Sequence, residues 1–271
     1  MRVWGLALVW LLGCGADGDS GGAATDGGAG SGSGGSDSSG GSGGSDSSGG
    51  SSGSGNAGGG SSCDASEHTG EGTYYDATGA GNCSFSAQSG PLYIAALNDP
   101  DYDNAAWCGA CAEVTGPDGE ANVTVRIVDR CPECASGDLD LSPDAFAELS
   151  ELSAGRIDIS WRFVPCDVPN HLNYVVKDGS NQWWLALQVR EHRHPISSLE
   201  VQEAGSSEWV SFERQDYNYW VGQSGAGFQL PLSVRVTDVG GNTVEDRDVI
   251  TVISDFAESS GGSQLPLECG G

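Results

Sequence analysis

Residues 122–146 read NVTVRIVDRCPECASGDLDLSPDAF, and they carry most of what decides the architecture. Val123, Val125 and Ile127 alternate with Asn122, Thr124 and Arg126, the two-residue period of a strand with one face in a core. The run ends on Asp129, directly before Arg130-Cys131-Pro132. Asp138 and Asp140 then alternate with Leu139 and Leu141, which puts both acids on one side of a short extended segment. Ser142-Pro143-Asp144 reads as a helix start: a serine N-cap, proline in the first turn and an acid at the positive end of the dipole. Phe146, Leu149 and Leu152 line one side of that helix, and Gly155 stops it.

The strand period recurs downstream. Ile157, Ile159, Trp161 and Phe163 alternate with Asp158, Ser160 and Arg162. After Asp167-Val168-Pro169-Asn170 no helix signal remains. Strand-like runs follow at 173–177, 183–190, 196–202, 208–213, 228–237 and 243–252, split by turn residues such as Gly240-Gly241-Asn242. Such a series over about 85 residues predicts a β-sandwich. The chain is therefore expected to be mostly β in two domains, 63–166 and 170–255, with 256–271 as a C-terminal tail.

Upstream, Arg2 precedes an apolar run from Val3 to Leu12, which is shorter than the roughly 20 residues needed to cross a bilayer. It ends Leu11-Leu12-Gly13-Cys14, similar to a bacterial lipobox, so residues 1–14 read as a lipoprotein signal with Cys14 lipid-modified. An ordinary secretory signal is the alternative. Gly15 stands where an inner-membrane retention signal has aspartate, which directs the expectation to the outer membrane or cell surface, with secretion as the other outcome. Residues 15–62 hold 36 Gly or Ser among 48 and repeat GGSDSSGGS at 34–42 and 43–51. They read as a disordered linker with an end-to-end distance of roughly 40 Å.

Residues 63–271 carry 33 acidic and 10 basic side chains. That balance excludes nucleic acid, which needs a basic face to displace counterions, and excludes docking on anionic lipid through charge. Membrane contact is expected through the lipid anchor alone, and the ligand is expected to be neutral or cationic.

Apart from Cys14, eight cysteines remain. Cys108/Cys111 and Cys131/Cys134 form two C-x2-C pairs with 19 residues between them, a zinc-ribbon spacing. The secretory start opposes that reading, because thiols outside the inner membrane oxidise and disulfides are the default. No metal and no cofactor are expected. Pairing among eight cysteines does not follow from spacing.

Two groups of residues point to chemistry. Asp129, Asp138 and Asp140 are either an acidic loop paired with Arg130 or carboxyls at a groove, placed to protonate or hydrogen-bond a glycosidic oxygen. Hydrolysis of a glycoside ordinarily needs two such carboxyls. Trp183, Trp184 and Tyr217 are either core residues or a flat stacking surface for a polysaccharide. Strand parity groups Trp183 with Leu185, Leu187 and Val189, and Trp184 with Ala186, Gln188 and Arg190, which makes Trp184 the better placed for exposure.

Gly72-Thr73-Tyr74-Tyr75, Val128-Asp129-Arg130-Cys131-Pro132, the stretch from Asp138 to Phe146 and the stretch from Gly155 to Arg162 resemble the first domain of microbial expansins. Lys177, the run from Trp183 to Arg190, and Asp216-Tyr217-Asn218 resemble the second. The resemblance covers most of 68–255. It implies a six-stranded double-psi β-barrel related to family-45 glycoside hydrolases, followed by an immunoglobulin-like β-sandwich of the family-63 carbohydrate-binding module type. The implied partner is cellulose or a related β-glucan or xylan, bound by a monomer and loosened without hydrolysis.

By the same resemblance Thr73, Asp129 and Asp140 are the candidate groove residues, and Trp183, Trp184 and Tyr217 form a linear platform with Lys177 beside it. This reverses the parity reading of Trp183. The implied disulfides are Cys83–Cys108, Cys111–Cys166 and Cys131–Cys134. Cys63–Cys269, the pair left over and not a family feature, would tie the two ends. Cys131 replaces a groove tyrosine of some bacterial members, and the acidity departs from their basic character. The hydrolases place a catalytic base four residues after the threonine, where this chain has Ala77; Asp76 comes one residue early and faces away. Two alternatives stand beside the non-hydrolytic reading. One is an endo-β-1,4-glucanase with Asp140 as acid and Asp76 or a loop acid as base. The other is a peptidoglycan-acting protein like the rare-lipoprotein-A transglycosylases.

Overall fold

The computed structural model describes residues 66–268. The signal peptide, Cys14, the linker and the Cys63–Cys269 pair lie outside the described residues. Strands β1 (His68–Tyr74), β2 (Ile94–Asn98), β3 (Cys111–Thr115), β4 (Asn122–Cys131), β5 (Leu139–Leu141) and β6 (Ile157–Val164) close a barrel in the order β1-β5-β2-β4-β3-β6. Two of its pairings, β1 with β5 and β2 with β4, are parallel; the others are antiparallel. Val123, Val125 and Ile127 of β4 and Ile157, Ile159, Trp161 and Phe163 of β6 fill the interior, as their alternation requires.

The barrel depends on one close crossing of chain over chain. A Cβ on Gly70 would lie 2.4 Å from the Gly137 carbonyl, and one on Gly137, at φ +87°, would lie 2.2 Å from the Thr69 oxygen. Buried Trp161 seals the crossing by donating from Nε1 to the Gly137 carbonyl at 2.8 Å. The crossing brings β1 alongside β5 in a register that sets Thr73 opposite Asp140.

Helix α1 (Asp99–Tyr102) follows β2, and α2 (Pro143–Leu149) starts where the sequence places it, with the Ser142 hydroxyl accepting from Ala145 N–H. It ends sooner than expected: Ser150 is extended, and Leu152, counted on its apolar side, is 40% exposed in a short 3-10 turn.

The second domain comprises β7 (Asn173–Val176), β8 (Trp184–Arg190), β9 (Ile196–Gln202), β10 (Val210–Arg214), β11 (Trp220–Gln223), β12 (Leu232–Asp238), β13 (Thr243–Ile250) and β14 (Glu258–Ser260). They form an eight-stranded antiparallel sandwich, almost closed on itself, in the order β13-β12-β9-β10-β11-β8-β7-β14 around a separate core. Two of these strands are absent from the sequence reading. β11 is short and contains Gly222, against which Phe212 packs. β14 is polar, Glu-Ser-Ser, and pairs with β7 through its backbone and one side-chain bond, Asn173 Nδ2 donating to Glu258 Oε2 at 3.3 Å. Residues 256–268 are consequently no tail: they supply β14, and Leu265 is fully buried in the second core.

Disulfides join Cys83 to Cys108, Cys111 to Cys166, and Cys131 to Cys134, the three pairs the resemblance implies. Both C-x2-C pairs are thereby occupied by sulfur–sulfur bonds. Three disulfides suit an oxidising, extracytoplasmic compartment.

Candidate functional site

The parallel β1–β5 pairing opens a groove of about 240 Å³ lined by Thr73, Glu133, Asp138, Asp140 and the Cys131–Cys134 disulfide. Thr73 Oγ1 donates to Asp140 Oδ1 at 2.7 Å. Burial holds the Asp140 carboxyl above the usual carboxylate range; the Thr73 bond opposes this, and the negative charges of Glu133 and Asp129 add to it. Asp140 therefore keeps its proton to higher pH than an exposed aspartate.

The three acids do different work. Asp138 accepts Glu71 N–H through Oδ1 at 2.8 Å and Ala135 N–H through Oδ2 at 3.0 Å, so both its oxygens fasten backbone. Asp129 Oδ1 accepts the N–H groups of Asn82 at 2.6 Å and Arg130 at 2.8 Å. None of the three forms an ion pair with the Arg130 guanidinium, which reaches Asp99 at 3.4 Å. A continuous strand period would have sent Asp129 inward with Ile127. The β2–β4 register slips between them, so Val128 is buried as well and the two-residue period is reset before Asp129. Gly81 makes room for the carboxylate: a Cβ there would lie 2.4 Å from Asp129 Cγ.

Sequence reasoning missed four participants. Tyr75 has a buried hydroxyl with no hydrogen-bond partner, and burial together with Asp129 and Asp140 keeps the phenol protonated. Its sequence signal is its place two residues after Thr73, on the same side of the extended chain. Glu133 reaches the groove because the Cys131–Cys134 bond folds its loop inward. Glu71 and Arg156 form an ion pair at the groove margin. Asp76 is exposed and does not line the groove.

The aromatic candidates come from two parts of the sandwich, the start of β8 and the turn before β11. β8 begins at Trp184, so Trp183 precedes the strand and escapes its alternation. Asn181 Oδ1 accepts the N–H groups of both tryptophans, at 2.9 and 3.2 Å, and thereby sets the turn that presents them. Trp183 is 51% exposed and packs over Gly227, where a Cβ would come within 3.1 Å of its ring; Trp184 is half-buried. The parity preference for Trp184 as the more exposed of the two is thus reversed.

From Trp184 the outer face runs through Ala186 to Gln188, roughly 13 Å along the strand, and Gln188 Nε2 donates to the barrel's Cys83 carbonyl at 2.9 Å. Tyr217 lies in the turn before β11, its ring centroid 6.0 Å from that of Tyr219. Lys177 Nζ sits 5.8 Å from the Tyr219 ring and 2.8 Å from Asp178, so its charge is matched within the protein. Exposed aromatic rings can stack on the apolar faces of sugar rings, and groove carboxyls can hydrogen-bond sugar hydroxyls.

The lytic transglycolase family profile matches residues 94–161, which lie within the barrel. Expansin-YoaJ of Bacillus subtilis is 37% identical over 188 residues, 66% of this chain and 77% of that protein. The crystal structure of the apo expansin of Clavibacter michiganensis superposes with a TM-score of 0.66 at 35% identity, covering 73% of this chain and 98% of that one. A mutant of that expansin, solved in complex with cellohexaose, matches with the same TM-score and coverage at 34% identity. Likeness across both β domains, in sequence and in fold, shows that the chain belongs to the expansin family.

Proposed function

We propose that this protein binds cellulose or a closely related neutral β-glucan and loosens the polymer network without cutting it. The observation that carries the reading is the surface pairing an aromatic row, Trp183, Trp184 and Tyr217, with a groove holding one carboxyl of raised pKa, Asp140. The cellohexaose complex of the Clavibacter michiganensis expansin supports a glucan as ligand. Charge supports a neutral polymer: the protein carries a net −27, and among the described residues each lysine and arginine has an acidic or carbonyl partner.

Loosening follows from exchange of contacts. Each glucan hydrogen bond is worth about 0.5–1.5 kcal/mol net, so a groove offering Thr73, Asp129 and Asp140 competes with chain-to-chain bonds a few at a time. Cleavage needs a second carboxyl to activate water. Ala77 stands at the hydrolases' base position, and Asp138 has both oxygens on backbone donors. Mixing the protein with insoluble cellulose tests the reading. Adsorption should fall at least 100-fold in the triple Trp183/Trp184/Tyr217→Ala variant, about 3 kcal/mol over three rings, with no soluble reducing sugar from any form. Adsorption indifferent to the triple change would sink the platform.

Glu133 beside Asp140 favours a second reading, an endo-β-1,4-glucanase with Glu133 as the loop base; sugar release lost in both Asp140→Asn and Glu133→Gln would establish it. The transglycolase profile match keeps peptidoglycan in the assay, with muropeptide release as its signature. We place the protein, as a monomer, at the outer membrane through lipid on Cys14, with residues 15–62 as tether. Labelled palmitate incorporated by the native chain but not by Cys14→Ser checks the anchor. A non-reducing peptide map checks Cys63–Cys269.

A further inference from the structure

Barrel and sandwich touch at several places, His192 against Gly109 and Arg126 beside Glu191 among them, and one of these is a short segment, Asn82-Cys83, pinned to the barrel by the Cys83–Cys108 disulfide. Asn82 faces both functional regions at once. Its backbone N–H holds Asp129, the carboxylate whose charge acts on the groove acid Asp140, at 2.6 Å. Its side-chain Nδ2 donates to the carbonyl of Asp216 at 2.8 Å, in the sandwich, and to the barrel's Tyr102 hydroxyl at 2.8 Å. Tyr102 in turn donates to the same Asp216 carbonyl at 3.0 Å. One residue along, the Cys83 carbonyl accepts from Gln188 Nε2 at 2.9 Å and from Asn218 Nδ2 at 3.1 Å. Asp216 and Asn218 flank the platform residue Tyr217, and Asn218 holds the turn with a left-handed backbone at φ +63°.

From this geometry we infer that Asn82 is a positioning residue that locks the groove and the aromatic platform into one register, making a single rigid tool of two weak glucan contacts. The inference rests on the loosening function proposed above. If the two domains swivelled freely, each would meet the polymer alone, and grip by one would lend the other only the effective concentration of a flexible link. A fixed register lets the platform hold one chain while the groove is held against the next. The work is divided within Asn82 itself: the backbone orients the acid, the side chain fixes the domain. Alanine at this position removes the second task and keeps the first, and Tyr102 still satisfies the Asp216 carbonyl, so the fold survives the change.

The test uses the full chain with Asn82→Ala and with the isosteric Asn82→Asp, which keeps shape and loses the amide donor. Four quantities are read: adsorption on insoluble cellulose, extension of a cellulose network under constant load, small-angle X-ray scattering and circular dichroism. Both variants should adsorb within twofold of the parent, keep their circular dichroism, extend the network at least fivefold more slowly and show a broadened distance distribution. Unchanged extension, or adsorption falling in step with extension, overturns the inference. A parent protein that does not extend cellulose defeats the loosening function instead; scattering then decides the positioning role alone, broadened in support of it and unchanged against it.

Discussion

Groove and platform are built by opposite means. The groove is assembled across the barrel: Thr73 meets Asp140 over 67 residues of sequence, and Asp129 meets Asn82 over 47. The first of these contacts depends on the crossing at Gly70 and Gly137, the second on the slip in β4. The platform is assembled locally: Asn181 fastens Trp183 and Trp184 two and three residues away, and the turn at 215–219 presents Tyr217. A site made by tertiary register is inseparable from the stability of its domain. A site made by a turn can be stripped while the domain stands.

Changing the crossing should give the largest effect. Gly137→Ala places a methyl 2.2 Å from the Thr69 carbonyl at a residue held at positive φ. Left-handed strain and backbone displacement together cost more than about 3 kcal/mol. The barrel transition in thermal unfolding should drop by roughly 15 °C, and the groove should be lost with it, while the sandwich transition stays. If instead the barrel tolerates alanine, the crossing is not what sets the Thr73–Asp140 register.

Acid should act next, at the junction between the two regions. His192 is buried against Gly109 of the barrel, and burial, with the nearby Arg126 charge, lowers its pKa to about 3. In the unfolded chain it titrates near 6.5. Between those values the unfolded state binds more protons, so His192's share of the stability, complete above pH 6.5, drains away as the pH falls toward 3. The slope is about 1.4 kcal/mol per pH unit. Denaturant melts at pH 7, 5.5 and 4 should show that slope in the parent and a flatter one in His192→Gln. Equal slopes would remove His192 from the account.

The opposition between register and turn also explains what the sequence disclosed. Periodicity displayed β4, β6, the start of α2 and most of the sandwich, because each is a strand or helix with one face in a core. It hid β14, whose Glu-Ser-Ser carries no apolar side chain, and it grouped Trp183 with core residues because a strand's first residue is a matter of turn chemistry. Asp138 and Asp140 were legible as one face, since their strand is regular. Their division of labour was not, because the hydrogen bonds from Glu71 and Thr73 arrive from β1, 67 residues away. Tyr75 was visible only as a neighbour of Thr73; its unpartnered hydroxyl is a tertiary fact.

On the platform a smaller effect falls on binding alone. Trp183→Ala removes a half-exposed ring and should weaken cellulose adsorption about tenfold, near 1.4 kcal/mol, with no shift in either unfolding transition. Gly227→Ala, pressing on the same ring from beneath, should reduce adsorption less. A Trp183→Ala protein that unfolds early would show the platform to be part of its core and erase the distinction from the groove.

Asp140→Asn should disturb the fold little and be the most informative about the groove. Asparagine keeps an oxygen for the Thr73 hydroxyl and the volume of the side chain. Because burial raises the Asp140 pKa, the acid's favourable state in the fold is the protonated one, complete below its unfolded pKa and lost as pH rises through the folded value. At neutral pH the parent carries a carboxylate that is partly desolvated and faces Glu133 and Asp129, and asparagine relieves it. The variant should therefore melt slightly higher than the parent at pH 7 and level with it near pH 3. The same protonation governs the groove's hydrogen bonding, since a carboxylic acid donates to a glucan oxygen and a carboxylate does not. Network extension by the parent should decline as pH rises through that raised pKa, whereas Asp140→Asn, with its permanent donor, should extend the network with a flat profile. A parent profile that is flat over the same range would mean that the groove grips through Thr73 and Asp129 alone, and that the carboxyl opposite Thr73 serves the barrel, like Asp138, and not the polymer.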